Sequence, residues 1–357
     1  MKINDFLKEM VKKNASDLHL KAGHPPTFRI DGVYVDSSYP VLTLQEVRDL
    51  INQMTDDALK QKFDEERELD FAYAVPELAR FRVNVYLQTG NLASVIRVIP
   101  LKIMTIDELG LPQVLKKLAD RPRGLVLVTG PTGSGKSTTI AAMIDHINQT
   151  RRCHIITIED PVEFIHTDKK AIVDQREVGR DTLSFNNALK RVLRQDPNVI
   201  VIGEIRDLET IATAITAAET GHLVFATLHT GSVSQTIDRI VDVFPPAQQQ
   251  QIRSQLSLTL EGIVCQVLLP KADNKGRAVA LEILVANHAI RNMIRENQLA
   301  QIPSTMLTGK SEGMQTLDVA LKDLVNAETV TFEAALTKAH NPEGFRKLML
   351  QDLEKKK

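Results

Sequence analysis

The chain has 357 residues, of which 43% are hydrophobic, 25% charged and only 4% aromatic. That length exceeds one ordinary core of ~100–200 residues, so two domains are expected, and the balance excludes a disordered or collagen-like chain. Lys+Arg 44 against Asp+Glu 45 leaves a formal net charge of -1, and Trp is absent, which speaks against bulk phosphate neutralisation and base stacking and so against nucleic acid as a partner.

At the start of the chain, Ile3, Phe6, Leu7, Met10 and Val11 recur at helical spacing, while Asp5, Lys8, Glu9 and Lys12 interrupt any signal-peptide core. An amphipathic opening helix is predicted. Short alternating stretches at 16–20 and 27–30 follow, then a helix over 44–54 and two strands, 79–87 and 92–98. If Thr89-Gly90 centres a hairpin between those strands, Arg82 and Arg97 fall opposite each other on one face. Like charges so placed repel unless an anion lies between them. The alternative is a pair of solvated arginines, and Arg80 could stand in for either. Residues 1–98 thus read as a small α+β domain, and 99–122, with Pro100, Pro112 and Pro122 around one short helix, as a linker.

From 123 to 357 the pattern changes. Nearly continuous apolar runs at 125–129, 154–158, 199–202 and 223–228 alternate with helical stretches at 137–149, 184–194 and 208–220. Strands apolar on both faces, alternating with helices, predict a parallel α/β sheet. A tail of amphipathic helices is expected from 247 to the end, with Gln248–Gln251 and the terminal lysines 355–357 as solvated surface. Cys153 and Cys265 stand alone, so no disulfide framework or four-ligand zinc site is predicted, and a reducing, cytoplasmic setting fits. No apolar run approaches the ~18–20 residues that cross a bilayer.

Gly130-Pro131-Thr132-Gly133-Ser134-Gly135-Lys136-Ser137 matches G-x-x-x-x-G-K-[ST] between a predicted strand and a predicted helix, with Thr138 next. Glycines let backbone N–H groups turn inward around phosphates, and the helix N-terminus adds partial positive charge. Lys136 would then reach the β- and γ-phosphates, and Ser137 would ligate Mg²⁺. An NTPase is predicted. The run 199–202 ends in Gly203-Glu204, with Gly203 where the usual acidic residue of a second NTPase motif would stand. Glu204 is placed to polarise the attacking water. Glu159, Asp160 and Glu163 supply a second acidic strand end, although paired carboxylates at such a position are also common as plain solvated termini. His222 and His229 bracket the last run without a third ligand for a metal. His229 reads as a γ-phosphate sensor at the ligand-binding end of the sheet, or as a simple strand-end histidine.

These motifs together resemble the secretion-ATPase superfamily, and within it the PilT-type retraction ATPases of type IV pili. The matching residues include Ala15-Ser16-Asp17-Leu18-His19-Leu20, Ala79-Arg80-Phe81-Arg82-Val83-Asn84, the P-loop, Thr157-Ile158-Glu159-Asp160-Pro161-Val162-Glu163, Gly203-Glu204-Ile205-Arg206-Asp207 and His222 to His229. Ala289-Ile290-Arg291-Asn292-Met293-Ile294-Arg295-Glu296 resembles a C-terminal motif of retraction motors. The likeness runs from about residue 3 to about residue 345, and the tail after Phe345 is less typical of the family. It implies a RecA-like P-loop core with a smaller PAS-like N-terminal domain, hydrolysis of ATP with Mg²⁺, and pilus retraction in twitching motility. Glu204, Glu163, Arg82, Arg97 and His229 would be catalytic, with Arg82 and Arg97 donated across subunits, and Glu163 would assist Ser137 at the metal through water. A homohexamer is implied, cytoplasmic and peripheral to the inner membrane at the pilus base. Its partners would be an inner-membrane platform protein and paralogous pilus ATPases. An accessory retraction paralogue, a nucleic-acid translocase and a non-hydrolysing scaffold are the alternatives. In the 289–296 helix Ile290, Met293 and Ile294 form an apolar stripe, which leaves Arg291, Asn292, Arg295 and Glu296 on the expected outer face. That face is either a relay to the load or ordinary solvated surface.

Overall fold

The computed structural model describes residues 1–30, 32–99, 102–205, 207–273 and 275–355. Pro100 of the expected linker, Arg206 of the 203–207 motif, and Lys356 and Lys357 lie outside them. The chain forms two compact units: Met1–Lys102 with Pro161–Ile165, and a second made of Ile103–Asp160 and the chain from His166 on.

In the first unit, helix α1 (Ile3–Lys12) buries Ile3, Phe6, Leu7 and Met10, the stripe its sequence spells out. Strands β1 (Asp17–Lys21), β2 (Thr27–Ile30) and β3 (Val33–Asp36) follow, then helices α2 (Leu44–Asn52) and α3 (Asp57–Glu66). Thr43 starts α2 by accepting from Glu46 N while Glu46 accepts from Thr43 N, so two otherwise orphaned N–H groups are satisfied. Strands β4 (Glu68–Val75), β5 (Ala79–Gln88) and β6 (Asn91–Ile99) complete an antiparallel sheet in the order β3-β2-β1-β6-β5-β4. Thr89 and Gly90 both take positive φ, 51° and 74°, in a two-residue turn that pairs Gln88 with Asn91. Arg82 lies directly opposite Arg97, as that hairpin predicts. Strands β3 and β4 and helix α3 were not expected from sequence. Helix α3 buries no side chain, β3 is exposed along its whole length, and charged residues surround the inward Leu69 and Phe71 of β4.

The second unit begins with α4 (Val114–Ala119), β7 (Gly124–Thr129), α5 (Lys136–Thr150), β8 (His154–Glu159) and β9 (Ile172–Glu177). It continues through α6 (Phe185–Val192), β10 (Val199–Ile202), α7 (Leu208–Glu219), β11 (Leu223–Leu228), α8 (Val233–Asp242) and α9 (Pro246–Thr259). Then come β12 (Leu260–Pro270), β13 (Arg277–Val285), α10 (His288–Arg295), α11 (Ile302–Thr308), α12 (Leu317–Asn326), α13 (Phe332–Leu336) and α14 (Pro342–Lys355). The sheet runs β13-β12-β7-β11-β10-β8-β9, and β7, β11 and β10 are buried at every position. This is the parallel α/β core that the four apolar runs predict. Ile106, Leu111, Val114, Leu115, Leu118 and Ala119, from the stretch read as linker, are buried in this unit's core.

The expected all-helical tail is corrected over 260–285. Those residues form β12, parallel to β7, and β13, antiparallel to β12, so the sheet is mixed. Seven positions of β12 and seven of β13 are buried. A run buried on both faces carries no period, so the pattern alone does not separate strand from helix, and only the β-branched residues, Ile263, Val264 and Val267 in β12 and Val279, Ile283 and Val285 in β13, favour strand.

Candidate functional site

The P-loop joins the buried strand β7 to α5, and its conformation depends on glycine. Gly130, Gly133 and Gly135 hold φ of 141°, 77° and 91°. At Gly130 a Cβ would lie 2.3 Å from Gln266 O and 2.7 Å from Ser134 Oγ, so the loop lies against β12 with no room for a side chain. Lys136 Nζ donates to Gly130 O at 2.9 Å and to Pro131 O at 3.1 Å, which holds the ammonium over the loop at the N-terminus of α5. That end of a long helix presents N–H groups and partial positive charge, and Ser137 and Thr138 lie in its first turn. Ser134 is buried, and its Oγ has no hydrogen-bond partner among the described residues. These features fit a phosphate chain.

Glu204 and His229 follow β10 and β11, and the strand order β7-β11-β10-β8 brings the two onto adjacent carboxyl ends beside the P-loop strand. Open α/β sheets bind ligands at that end. His229 Nε2 lies 2.9 Å from Glu204 Oε1, with side chains 46% and 25% exposed. Because a carboxylate only accepts, this contact assigns the proton of neutral His229 to Nε2. Gly203 stands in the expected acidic position because β8 passes close by. A Cβ there would meet Ile158 O at 3.2 Å and Glu159 Cα at 3.3 Å, and Thr227 Oγ1 donates to Gly203 O from the other side. Glu159 ends β8 and accepts from Thr157 Oγ1 at 2.6 Å and Gln175 Nε2 at 3.3 Å. His222 lies at the opposite end of β11, where its Nδ1 is 3.0 Å from Ala217 O at the end of α7.

Residues missed from sequence support this arrangement. Gln266, buried on β12, donates from Nε2 to Ser134 O at 2.6 Å and so braces the P-loop. Across the sheet, Thr129, Cys265 and Glu282 fall in one row, with Thr129 Oγ1 donating to Cys265 Sγ at 2.9 Å. Burial pushes the Cys265 thiol and the Glu282 carboxyl above their usual ranges. On the far side of α5, Asp145 pairs with Lys169 and Asn148 holds Lys169 N and Thr167 O, which secures the chain that leads into β9. Half-buried His166, in that stretch, is pushed down to about 4 by desolvation. No sequence signal marks these bracing contacts, because their hydrogen-bond partners lie 19 to 136 positions apart.

Three other expected site residues belong to the first unit. Arg82 and Arg97 face each other there, and Glu163 lies on Pro161–Ile165. The expectation that the paired arginines need an anion between them is corrected. Arg97 Nε is 2.8 Å from Asp17 Oδ1 and Arg82 Nε is 3.5 Å from Asp70 Oδ1, so each is countered within its own sheet.

The outer face expected of the 289–296 helix is also corrected at Arg291. Its guanidinium donates to Ala286 O, Ser257 O and Leu258 O and pairs with Glu261 Oε1 at 2.8 Å. It thereby caps the carbonyl end of α9, where a cation is favoured. Arg295 is exposed, and among the described residues its guanidinium bonds only Asn292 and Glu296 beside it, while its carbonyl accepts from Gln250 Nε2 at 3.3 Å. Ile290 and Ile294 are buried as the stripe predicts.

The profile of the family described as "Type II/IV secretion system protein" matches residues 1–351. The chain is 52% identical over 345 residues to the "Type IV pilus retractation ATPase PilT" of Pseudomonas aeruginosa, covering 97% of this chain and 100% of that one. It is 40% identical over 346 residues to the "Type IV pilus ATPase PilU" of the same organism, covering 97% and 91%. Among solved structures, that of "the Pilus Retraction Motor PilT and Bound ADP" superposes with a TM-score of 0.91 at 48% identity, covering 97% of this chain and 99% of that one. With its P-loop, paired strand-end Glu204 and His229, and near full-length agreement with these relatives, the chain belongs to the type II/IV secretion system protein family.

Proposed function

We propose that this protein is an ATP-hydrolysing motor that powers retraction of type IV pili. The observation that carries this reading is the convergence of Lys136 on the P-loop with the Glu204–His229 pair, 2.9 Å apart, on neighbouring strand ends. Lys136 and the first-turn N–H groups of α5 bind and orient the phosphates, with residues 130–138 as the cradle. Glu204 takes the proton from the attacking water, and His229 holds that carboxylate in line. Ser137, with Glu163 through water, would hold Mg²⁺, which when bound neutralises charge on the β- and γ-oxygens.

Arg82 and Arg97 act across the subunit boundary of a homohexamer, where the arginines leave Asp70 and Asp17 for the nucleotide of the adjacent protomer. In this reading 1–98 is the domain that donates them, 99–122 the linker and 123–357 the ATPase. The identity of 52% to PilT against 40% to PilU favours the main retraction motor over the accessory paralogue. The motor works in the cytoplasm at the inner-membrane base of the pilus, against a platform protein and beside paralogous ATPases. Phosphate release by the purified chain, with its mass measured with and without ATP, tests this reading. Lys136→Ala should abolish turnover, and Glu204→Gln should bind ATP as wild type does yet fail to hydrolyse it. Turnover near wild type in either variant would remove the assignment.

A further inference from the structure

His229 is followed by the short turn Thr230-Gly231-Ser232, and α8 begins at Val233. Two side chains from distant parts of the second unit hold that turn, one at its middle residue and one at the N–H that follows it. Glu282, buried on β13, accepts from Val233 N through Oε2 at 2.9 Å. His340, between α13 and α14, contacts Gly231 O through Nε2 at 3.2 Å, and its Nδ1 is 3.7 Å from Glu282 Oε1. A carbonyl only accepts, so Nε2 carries the hydrogen in this contact. The backbone at His340 is itself fixed, because Asp318 at the start of α12 accepts from His340 N at 2.8 Å and Asn341 N at 3.3 Å. Helices α12 to α14 form their own apolar cluster on the outer strands, with Leu317, Leu321, Ala335 and Phe345 buried. Thr230 Oγ1 and Thr236 Oγ1, 2.7 Å apart, close the turn from within.

We infer that Glu282 and His340 are positioning residues that clamp the 230–232 turn and thereby set His229 against Glu204. The inference rests on the reading of the Glu204–His229 pair given above and adds to it a connection from the C-terminal helices to the reacting centre. A shift of the helix cluster moves His340, the Gly231 carbonyl with it, and so the imidazole one residue before the turn. Small displacements at that distance matter, since about 1 Å of misplacement is enough to slow a reaction ~100-fold. The clamping contacts of both residues are to the turn, to each other and to α12 rather than to the P-loop, so nucleotide binding should be spared.

The test uses two near-isosteres in the full-length protein. In His340→Gln the amide nitrogen occupies the place of Nε2 and still reaches Gly231 O. In His340→Asn the amide mimics Nδ1 and falls short of it. His340→Asn should lower kcat for phosphate release roughly 10-fold or more with KM for ATP near wild type, and His340→Gln should restore it. Thermal midpoints of the two should agree. In a His229→Ala background, adding His340→Asn should change kcat less than about 2-fold, because His340 acts only by positioning the imidazole that His229→Ala has already removed. Wild-type turnover in His340→Asn, equal loss in both variants, or losses that multiply with His229→Ala would overturn the inference alone. An inactive wild-type chain, or full activity in His229→Ala, would overturn the reading of the site and this inference with it.

Discussion

Arg291 and Arg295 lie one turn apart on the same helix and offer a sharp contrast. The Arg291 side chain is 25% exposed and gives its guanidinium to three backbone carbonyls and to Glu261. Two of those carbonyls, Ser257 and Leu258, belong to the last turn of α9, whose own helix leaves them unpaired. Hydrogen bonds to a charged group contribute about 1.5–3 kcal/mol each, but contacts that share one side chain do not add. A net loss of about 3 kcal/mol for Arg291→Ala follows, which is roughly 6–12 °C in thermal midpoint for a unit of this size. Arg291→Glu should cost more, since it places a second carboxylate beside Glu261. The Arg295 side chain is 50% exposed and, among the described residues, bonds only Asn292 and Glu296 beside it, so Arg295→Glu should stay within about 0.5 kcal/mol of wild type. Thermal unfolding followed by calorimetry, with phosphate release on the same samples, separates the two. Were Arg291→Ala to unfold with the wild-type midpoint, the α9 cap would be energetically idle and the argument wrong. Arg295→Glu is the variant in which loss of pilus retraction with intact ATPase would reveal a role in transmitting force.

Gly130→Ala should weaken nucleotide binding at least ~10-fold more than Gly133→Ala, because both would carry the ~1–3 kcal/mol strain of a positive φ but only the Gly130 Cβ would overlap the backbone of Gln266, at 2.3 Å, while the Gly133 Cβ meets nothing within 4 Å. Equal affinities in the two variants, by nucleotide titration, would refute the close packing of the loop on β12. His166, held near a pKa of about 4, is neutral in the folded chain while its unfolded form titrates near 6.5. Its share of stability is therefore complete above the unfolded pKa and lost as the pH falls toward the folded one, about 3 kcal/mol in all. Urea midpoints taken across that window should drop in the wild type and less in His166→Gln; identical slopes would refute it. Lys136→Ala and Arg82→Ala chains, each inactive alone, should recover turnover when mixed, and no recovery at any ratio would place Arg82 outside a neighbour's site.

The sheet core was legible because 125–129, 199–202 and 223–228 are apolar on both faces and bounded by turn residues. The P-loop was legible because a phosphate cradle requires its glycines and lysine at adjacent positions. The hairpin that opposes Arg82 and Arg97 follows from two residues, Thr89 and Gly90, at positive φ. What stayed hidden shares one cause. Strands β12 and β13 have no periodicity once both faces are covered, and β4 and α3 lie in a charged run that conceals Leu69 and Phe71. Asp17 and Asp70 are far in sequence from the arginines they neutralise, so the charge argument drawn from the hairpin alone was incomplete.

The amino-acid sequence by itself determined the chemistry of the phosphate cradle, the alternation of strand and helix, and the residues Glu204 and His229 at two strand ends. Those features depend on local spacing and on which side chains water rejects. Tertiary structure alone decided that β12 flanks β7 and lends Gln266 to the P-loop, that Glu204 and His229 meet at 2.9 Å, and that Arg291 caps α9 while Arg295 faces solvent. Each of these depends on strand order or on a contact between residues that are distant in sequence, such as the 33 positions between Arg291 and Leu258 or the 132 between Gln266 and Ser134. Pairings of that kind are selected by the free energy of the whole packed core, to which no local pattern gives access.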